Sequence, residues 1–254
     1  MNSEWLALPA GLIIATLATL VGFGGGILWM PYLLLIARLD PGQAVTTSLI
    51  IQVAGMGSGS AAVIQKKRAD VRLALFFSAC AFLGIPFGVW LSRVISSGGL
   101  VFLMGGFCLV TALVFVYIQD DIYTGSAKRI PLKQSAPYLW LSSLFAVLTG
   151  LLSMGVGDFL VPIIRHRLKL GMEAAMATCL IVMAVNAAFA AALHLLIGDG
   201  FAAEVILWAI PGVIIGGQIG PRLAGRISDQ NLKEIFIFAL SLAGIHMMFN
   251  IQGM

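Results

Sequence analysis

GFGGGILWMP, residues 22–31, is the stretch that decides the fold. Four glycines in five positions cannot hold a regular helix, because each costs about 1 kcal/mol relative to alanine in a helix interior. Yet both flanks are apolar: residues 5–20 are mostly Leu, Ala and Ile, and residues 27–36 carry no charge. The glycines therefore interrupt a membrane-type segment in its middle. Backbone groups released from a helix at membrane depth must be buried in protein or line a polar cavity. A dinucleotide-binding loop needs a preceding strand and a βαβ unit, which two apolar helical flanks do not supply.

Working outward, the whole chain has the same character. Of its 254 residues 60% are hydrophobic and 10% charged, against roughly a quarter charged in a soluble domain, and the mean hydropathy is +1.01. The chain reads as an integral, multi-pass protein of the cell membrane. A helix needs about 20 apolar residues to cross a hydrocarbon core. Six runs reach that length: 43–65, 72–92, 98–118, 174–197, 201–221 and 232–250. Two more stretches, 5–37 and 138–164, are apolar but broken by glycine. MNSEW at the start lacks a positive n-region, so a cleaved secretory signal is not expected. Cys80, Cys108 and Cys179 lie inside apolar spans without CxxC spacing, which argues against a disulfide framework or a metal site.

Residues 22–55 align with 153–186 without a gap, pairing Gly24 with Gly155, Gly26 with Gly157, Pro31 with Pro162, Leu39 with Leu170, Ala44 with Ala175 and Thr47 with Thr178. Shifted by one residue, Gly84, Gly88 and Leu91 match Gly216, Gly220 and Leu223. The expected organisation is a first repeat over 1–118, a polar cytoplasmic linker over 119–137 and a second repeat over 138–254. Each repeat has one glycine-broken segment followed by three spans.

Charge placement sets the expected orientation. If each broken segment is a re-entrant hairpin, thirteen of the fifteen basic residues fall on one side, leaving Arg38 and Arg93 opposite. If each crosses fully, the split is seven against eight. Only the first agrees with the positive-inside rule. Hairpin arms of about 15 and 11 residues span about 22 and 16 Å, too short for two crossings. The fold expected is thus all-α, with two inverted-topology repeats, each a glycine-tipped re-entrant hairpin plus three transmembrane helices. The net charge of +4 reflects this topology and not a nucleic-acid partner.

The tips are the candidate site. Half-helices starting at about Ile27 and Asp158 would present unpaired N–H groups and positive dipole ends to an anion. The backbone at Gly24, Gly25, Gly26, Ile27, Gly155, Val156, Gly157 and Asp158 is the expected cradle; the alternative is that these glycines only allow close helix packing. Thr47 with Ser48, and Thr178 with Cys179, are candidate side-chain donors, as are Gln52 and Asn186 deeper in the spans. The alternative for the threonines is a hydroxyl bonded to its own helix. Asp158 reads either as a carrier of a coupling proton or as a helix N-cap. His194 and His246, lacking an acidic partner at helical spacing, read as structural or interfacial. Trp5, Trp29, Trp90, Trp140 and Trp208 fall mostly near span ends, as an aromatic belt would.

GFGGGILWMP, its degenerate copy SMGVGDFLVP at 153–162, the TS and TC pairs that follow and the two four-segment halves resemble the TauE/SafE family of sulfite and organosulfur anion exporters. The resemblance spans essentially the whole chain. It implies secondary transport of a small inorganic or organosulfur anion, such as sulfite, thiosulfate or sulfoacetate, linked to the proton gradient or the membrane potential. The partners expected are that anion and membrane lipid, in a monomer or homodimer, with no cofactor and no metal. A passive anion channel could use the same pocket. A membrane-embedded enzyme would need a motif such as HExxH or paired intramembrane carboxylates, and the chain has neither.

Overall fold

The structure, a computed structural model, describes residues 3–21, 24–117, 130–154, 156–223 and 229–249. It is all-helical. A short turn at Ser3–Leu6 leads into α1 (Ala7–Val21); after the glycine break come α2 (Gly26–Pro31) and a wider π-turn at Tyr32–Ile36. Then follow α3 (Pro41–Gln65), α4 (Val71–Val94), α5 (Ser97–Tyr117), α6 (Leu132–Ser135), α7 (Leu139–Leu152), α8 (Val156–Leu168), α9 (Met172–Leu196), α10 (Ala203–Leu223) and α11 (Asp229–Phe249).

Among the described residues six helical segments are long and apolar enough to cross a membrane: Pro41–Gln65, Val71–Val94, Ser97–Val114, Leu132–Leu152, Glu173–Leu196 and Ala203–Gly220. Five match the sequence runs. The sixth is Leu132–Leu152, because helical turn continues back from α7 through Ala136–Tyr138 into α6. That arm was expected to begin at 138 and to be too short to cross; at 21 residues it is long enough. The run at 232–250 falls in α11 (Asp229–Phe249), whose part Ile237–Phe249 is an apolar helix among the described residues. In the linker, residues 118–129 lie outside the described part; Ile130 is buried, its N–H donating to Asp70 Oδ2 at 3.3 Å.

The repeat is visible in the backbone. Arg38 and Lys169, at equivalent places, both adopt left-handed φ (54° and 57°), as do Lys67 and Gly198 (53° and 84°). Leu39 N–H bonds to the Leu33 carbonyl at 3.0 Å, and Leu170 N–H to the Ile164 carbonyl at 3.5 Å.

Packing exchanges the halves. On α10, Gly212 meets Leu8 and Leu12, and Gly216 meets Leu12 and Thr16, so α1 runs parallel to it. Gly55 and Gly59 of α3 meet Val213 and Gly217, so α3 runs in that direction too. On the other side Gly84 of α4 meets Ser143 of α7, and Gly88 meets Val147. Ser142 Oγ donates to the Phe77 carbonyl at 2.9 Å. Here α4 and α7 run together, and α9 with them: the Asp70 N–H meets Thr178, Phe82 packs tilted against Phe189 with centroids 4.3 Å apart, and Arg93 reaches Ile197. Small residues permit these backbone approaches, as usual where lipid gives no hydrophobic drive for helix association. Contacts between α3 and α9 run in opposite senses: Ser60 Oγ donates to the Leu180 carbonyl at 3.2 Å, while Thr47 lies beside Ala202. α3 and α9 thus run in opposite directions.

The apolar outer faces of α4, α5, α10 and α11, with Leu83, Trp90, Leu113, Leu207 and Phe238 exposed, suit contact with lipid. Trp5, Trp90, Trp140 and Trp208 are exposed like a belt; Trp29 is not, being 1% exposed and packed edge-on to Tyr32.

Candidate functional site

The two glycine breaks meet. Gly25 and Gly26 lie against Met56 and Gln52, near the middle of α3, while Gly157 lies against Met183, near the middle of α9. Between the breaks, Gly26 packs directly on the Ser153 carbonyl, so closely that a Cβ there would collide with it. Gly24, Gly25, Gly26 and Ile27 are all buried. No side chain caps the start of α2.

A small polar network joins the two halves at this point. Gln52 Nε2 donates to Ser153 Oγ at 2.7 Å and to the Ser153 carbonyl at 3.1 Å, and lies 3.2 Å from Ser48 Oγ. Ser153 Oγ is 2.9 Å from Ser48 Oγ. All three residues are buried. Ser153 ends α7 with φ 61° and ψ 23°, the left-handed conformation usually given to glycine at a helix end. In the repeat it stands where the first half has Gly22, a signal that could have flagged it; its role as hub was missed in the sequence.

Asn186 lies three residues beyond Met183 on α9, hence on the same face. It is fully buried, and neither its Nδ2 nor its Oδ1 has a hydrogen-bond partner. A buried amide left so costs on the order of 1–3 kcal/mol, which a ligand or water would recover. Cys179, the repeat partner of Ser48, is also buried.

The threonines go elsewhere. Thr47 Oγ1 accepts the Ala202 N–H at 3.0 Å, and Thr178 Oγ1 accepts the Asp70 N–H at 3.0 Å while donating to the Ala174 carbonyl at 2.6 Å. Each pins the start of a helix in the opposite half, α10 or α4, so their equivalence in sequence reflects an inter-repeat fastening. Asp70 completes the second fastening, its Oδ1 accepting the Leu73 N–H at 3.2 Å. Thr178→Val leaves the buried Asp70 N–H without its acceptor; it is expected to cost about 1–3 kcal/mol, read as a lower unfolding temperature in detergent.

Gly155 and the side chains of Val156 and Asp158 lie outside the described residues, so the two readings of Asp158 stand as they were. His194 has no acidic partner at helical spacing, but Asp199, five residues on, supplies one: Nδ1 is 2.7 Å from Asp199 Oδ2. At the same end of the bundle Glu4, ahead of α1, shares a hydrogen bond with Glu204, which together with partial burial and like charge raises its carboxyl above the ordinary range. Among the described residues no group of His, Cys, Asp and Glu is placed to hold a metal ion.

Six membrane-length helices, two broken segments whose tips touch at mid-bundle and a buried polar cluster between them define a multi-pass membrane transporter. The chain belongs to the sulfite exporter TauE/SafE family, whose profile matches residues 7–247. Among curated relatives it is similar to the probable membrane transporter protein YunE of Bacillus subtilis (strain 168), 21% identical over 265 residues covering 94% of this chain and 95% of the relative. It is also similar to the probable membrane transporter protein YjnA of the same organism, 26% identical over 237 residues covering 85% and 90%. No solved structure matches it.

Proposed function

We propose that the protein is a secondary active transporter that exports a small sulfur-containing anion, such as sulfite, thiosulfate or sulfoacetate, and binds it where the two glycine breaks meet. The observation that carries this reading is the contact of Gly26 with Ser153 beside the buried Ser48–Gln52–Ser153 network. The anion lies beside these hydroxyls and the uncapped start of α2, with the unpartnered amide of Asn186 as a further donor. The opposed directions of equivalent helices support two inverted repeats. α1 starts level with the start of α10, and α2 leads back to the start of α3, where Thr47 meets Ala202. Both arms of the first hairpin thus end at one end of the bundle, which supports re-entry. Placing the basic loops in the cytoplasm puts the linker there and both termini outside. Alternating access then comes from rocking one repeat against the other about the tips.

Purified protein in liposomes loaded in turn with sulfite, thiosulfate, sulfoacetate, sulfate and chloride, with and without a proton gradient, tests the reading. The expected result is saturable flux and counterflow of one or more sulfur anions, responsive to the gradient or the potential. Flux that neither saturates nor shows counterflow identifies a passive channel, and no flux of any of the five rejects the reading.

A further inference from the structure

Both ring nitrogens of His194 face acceptors. It is 1% exposed, in the last turn of α9. Nδ1 is 2.7 Å from Asp199 Oδ2, and Nε2 is 2.8 Å from the Gly150 carbonyl. A neutral imidazole has a single N–H, and only the imidazolium has two. A neutral ring would therefore leave one bare lone pair against either a carboxylate or a carbonyl, buried and with nothing to separate them. Gly150 sits in the last turn of α7, three residues before Ser153. The histidine thus ties the arm carrying the site's hub to the end of α9.

The surroundings fit a cation that can exchange its proton. Asp199 keeps 19% of its side chain exposed, giving the buried ring a route to water, and its Oδ1 lies 3.4 Å from Arg93 Nη2. Arg93 also donates to the Ile197 carbonyl at 2.8 Å, and Asp199 N–H bonds back to the His194 carbonyl at 3.0 Å, which together fix the turn. The end of a helix favours positive charge. Of the elements packed against His194, α4 brings Arg93 and α7 brings only the Gly150 carbonyl, having no charged residue. At the start of α10, Glu204 is engaged with Glu4. At the repeat-equivalent place on α3 stands Val63, so the device exists in one half alone.

We propose that His194 is the site at which the coupling proton binds. Protonated, it bridges Asp199 and Gly150 and latches the α7 arm to α9; once a proton has left through Asp199 to water at that end of the bundle, the neutral ring keeps one N–H, the carboxylate as the stronger acceptor holds it on Nδ1, and the bare Nε2 lone pair then faces the Gly150 carbonyl, so the arm is released. The sign follows from the hydrogen bonds: the latch needs both ring N–H groups, so it holds at low pH and is lost as pH rises. This rests on the transport reading above for its role in the cycle, though the latch itself does not.

Two measurements separate these. Hydrogen exchange of residues 146–153, corrected for the intrinsic pH dependence and taken in nanodiscs at about pH 5 and about pH 9, either side of the ordinary histidine value of about 6.5, reads the latch directly. Wild type is expected to exchange about tenfold faster at the higher pH, and His194→Gln to exchange at that faster rate at both. Asp199→Asn, which keeps the polar contact but removes the charge, is expected to release the arm at lower pH than wild type. A wild-type pH response in His194→Gln overturns the proposal, as does a nitrogen NMR spectrum showing a neutral ring at the lower pH in protein whose only histidine is His194 (His166→Gln with His246→Gln). In liposomes loaded with thiosulfate, whose charge is constant over this range, His194→Gln is expected to lose the pH dependence of efflux; if it keeps that dependence, the proposal falls. If wild type moves none of the five anions, the transport reading falls and the exchange experiment still decides the latch.

Discussion

Gly26→Ala is expected to reduce sulfur-anion flux to background while the protein still inserts and purifies, whereas Gly157→Ala is expected to retain it. The two glycines are equivalent in the repeat, but what a methyl group would meet differs. At Gly26 it would run into the Ser153 carbonyl oxygen, with the Ser153 carbonyl carbon and Gln52 Nε2 both at 2.9 Å. Backbone cannot rotate aside, so the tips must separate and the Gln52 hydrogen bonds to Ser153 must break. At Gly157 the obstructing atoms all belong to the Met183 side chain, which is unbranched and has other rotamers to adopt. Overpacking costs about 1–3 kcal/mol in either place, too little to prevent folding of a well-packed bundle. The difference is that at Gly26 the cost is met by the geometry of the site itself. Leucine at either position fills the space and should abolish flux. Flux per reconstituted protein decides it: wild-type flux in Gly26→Ala removes the tip-to-tip contact from the mechanism.

The fold was readable where its physics is local or repeated. Glycines in an apolar run announce a broken segment, and matching Gly24, Gly26 and Pro31 with Gly155, Gly157 and Pro162 locates its twin. The four-residue spacing of Gly84 with Gly88 and of Gly212 with Gly216 is the small-residue pattern of close helix crossings, and these are the contacts of α4 with α7 and of α10 with α1. What could not be read depends on where distant segments land. Which helix Gly84 would face was not inferable from α4, because its partner lies in the other repeat. The threonines looked like pocket donors, since spacing places them at equivalent depths but says nothing of Ala202 and Asp70 arriving as their partners. His194 looked unpaired because Asp199 is five residues on, outside any helical pairing; the left-handed Gly198 folds the chain back and brings it within reach. Ser153 does not stand out in the second motif, because serine carries no glycine signature although it adopts the glycine conformation.

Gln52→Glu tests the sign of the charge that the site accepts. The wild-type amide nitrogen points at the Ser153 carbonyl and hydroxyl. A carboxylate in its place has no hydrogen to give and sets oxygen against oxygen at about that separation. It also adds a negative charge beside the proposed anion. Two like charges about 4 Å apart at an effective dielectric of about 20 repel by about 4 kcal/mol, equivalent to about three decades in affinity. Flux at neutral pH is therefore expected to fall by about a thousandfold. Acidification should restore part of it, because a protonated glutamic acid donates again and carries no charge. Gln52→Leu serves as the control: it removes the donor without adding charge, costs about 1–3 kcal/mol through the unpaired Ser153 and Ser48 groups, and should show no recovery at low pH. Thiosulfate is the better probe, since its own charge is constant over that range. A Gln52→Glu protein that carries thiosulfate at the wild-type rate at neutral pH would mean that the anion passes somewhere other than between Gln52 and Ser153. Recovery on acidification in the glutamate variant and not in the leucine variant would tie the flux to one donated hydrogen at the junction of the two glycine breaks.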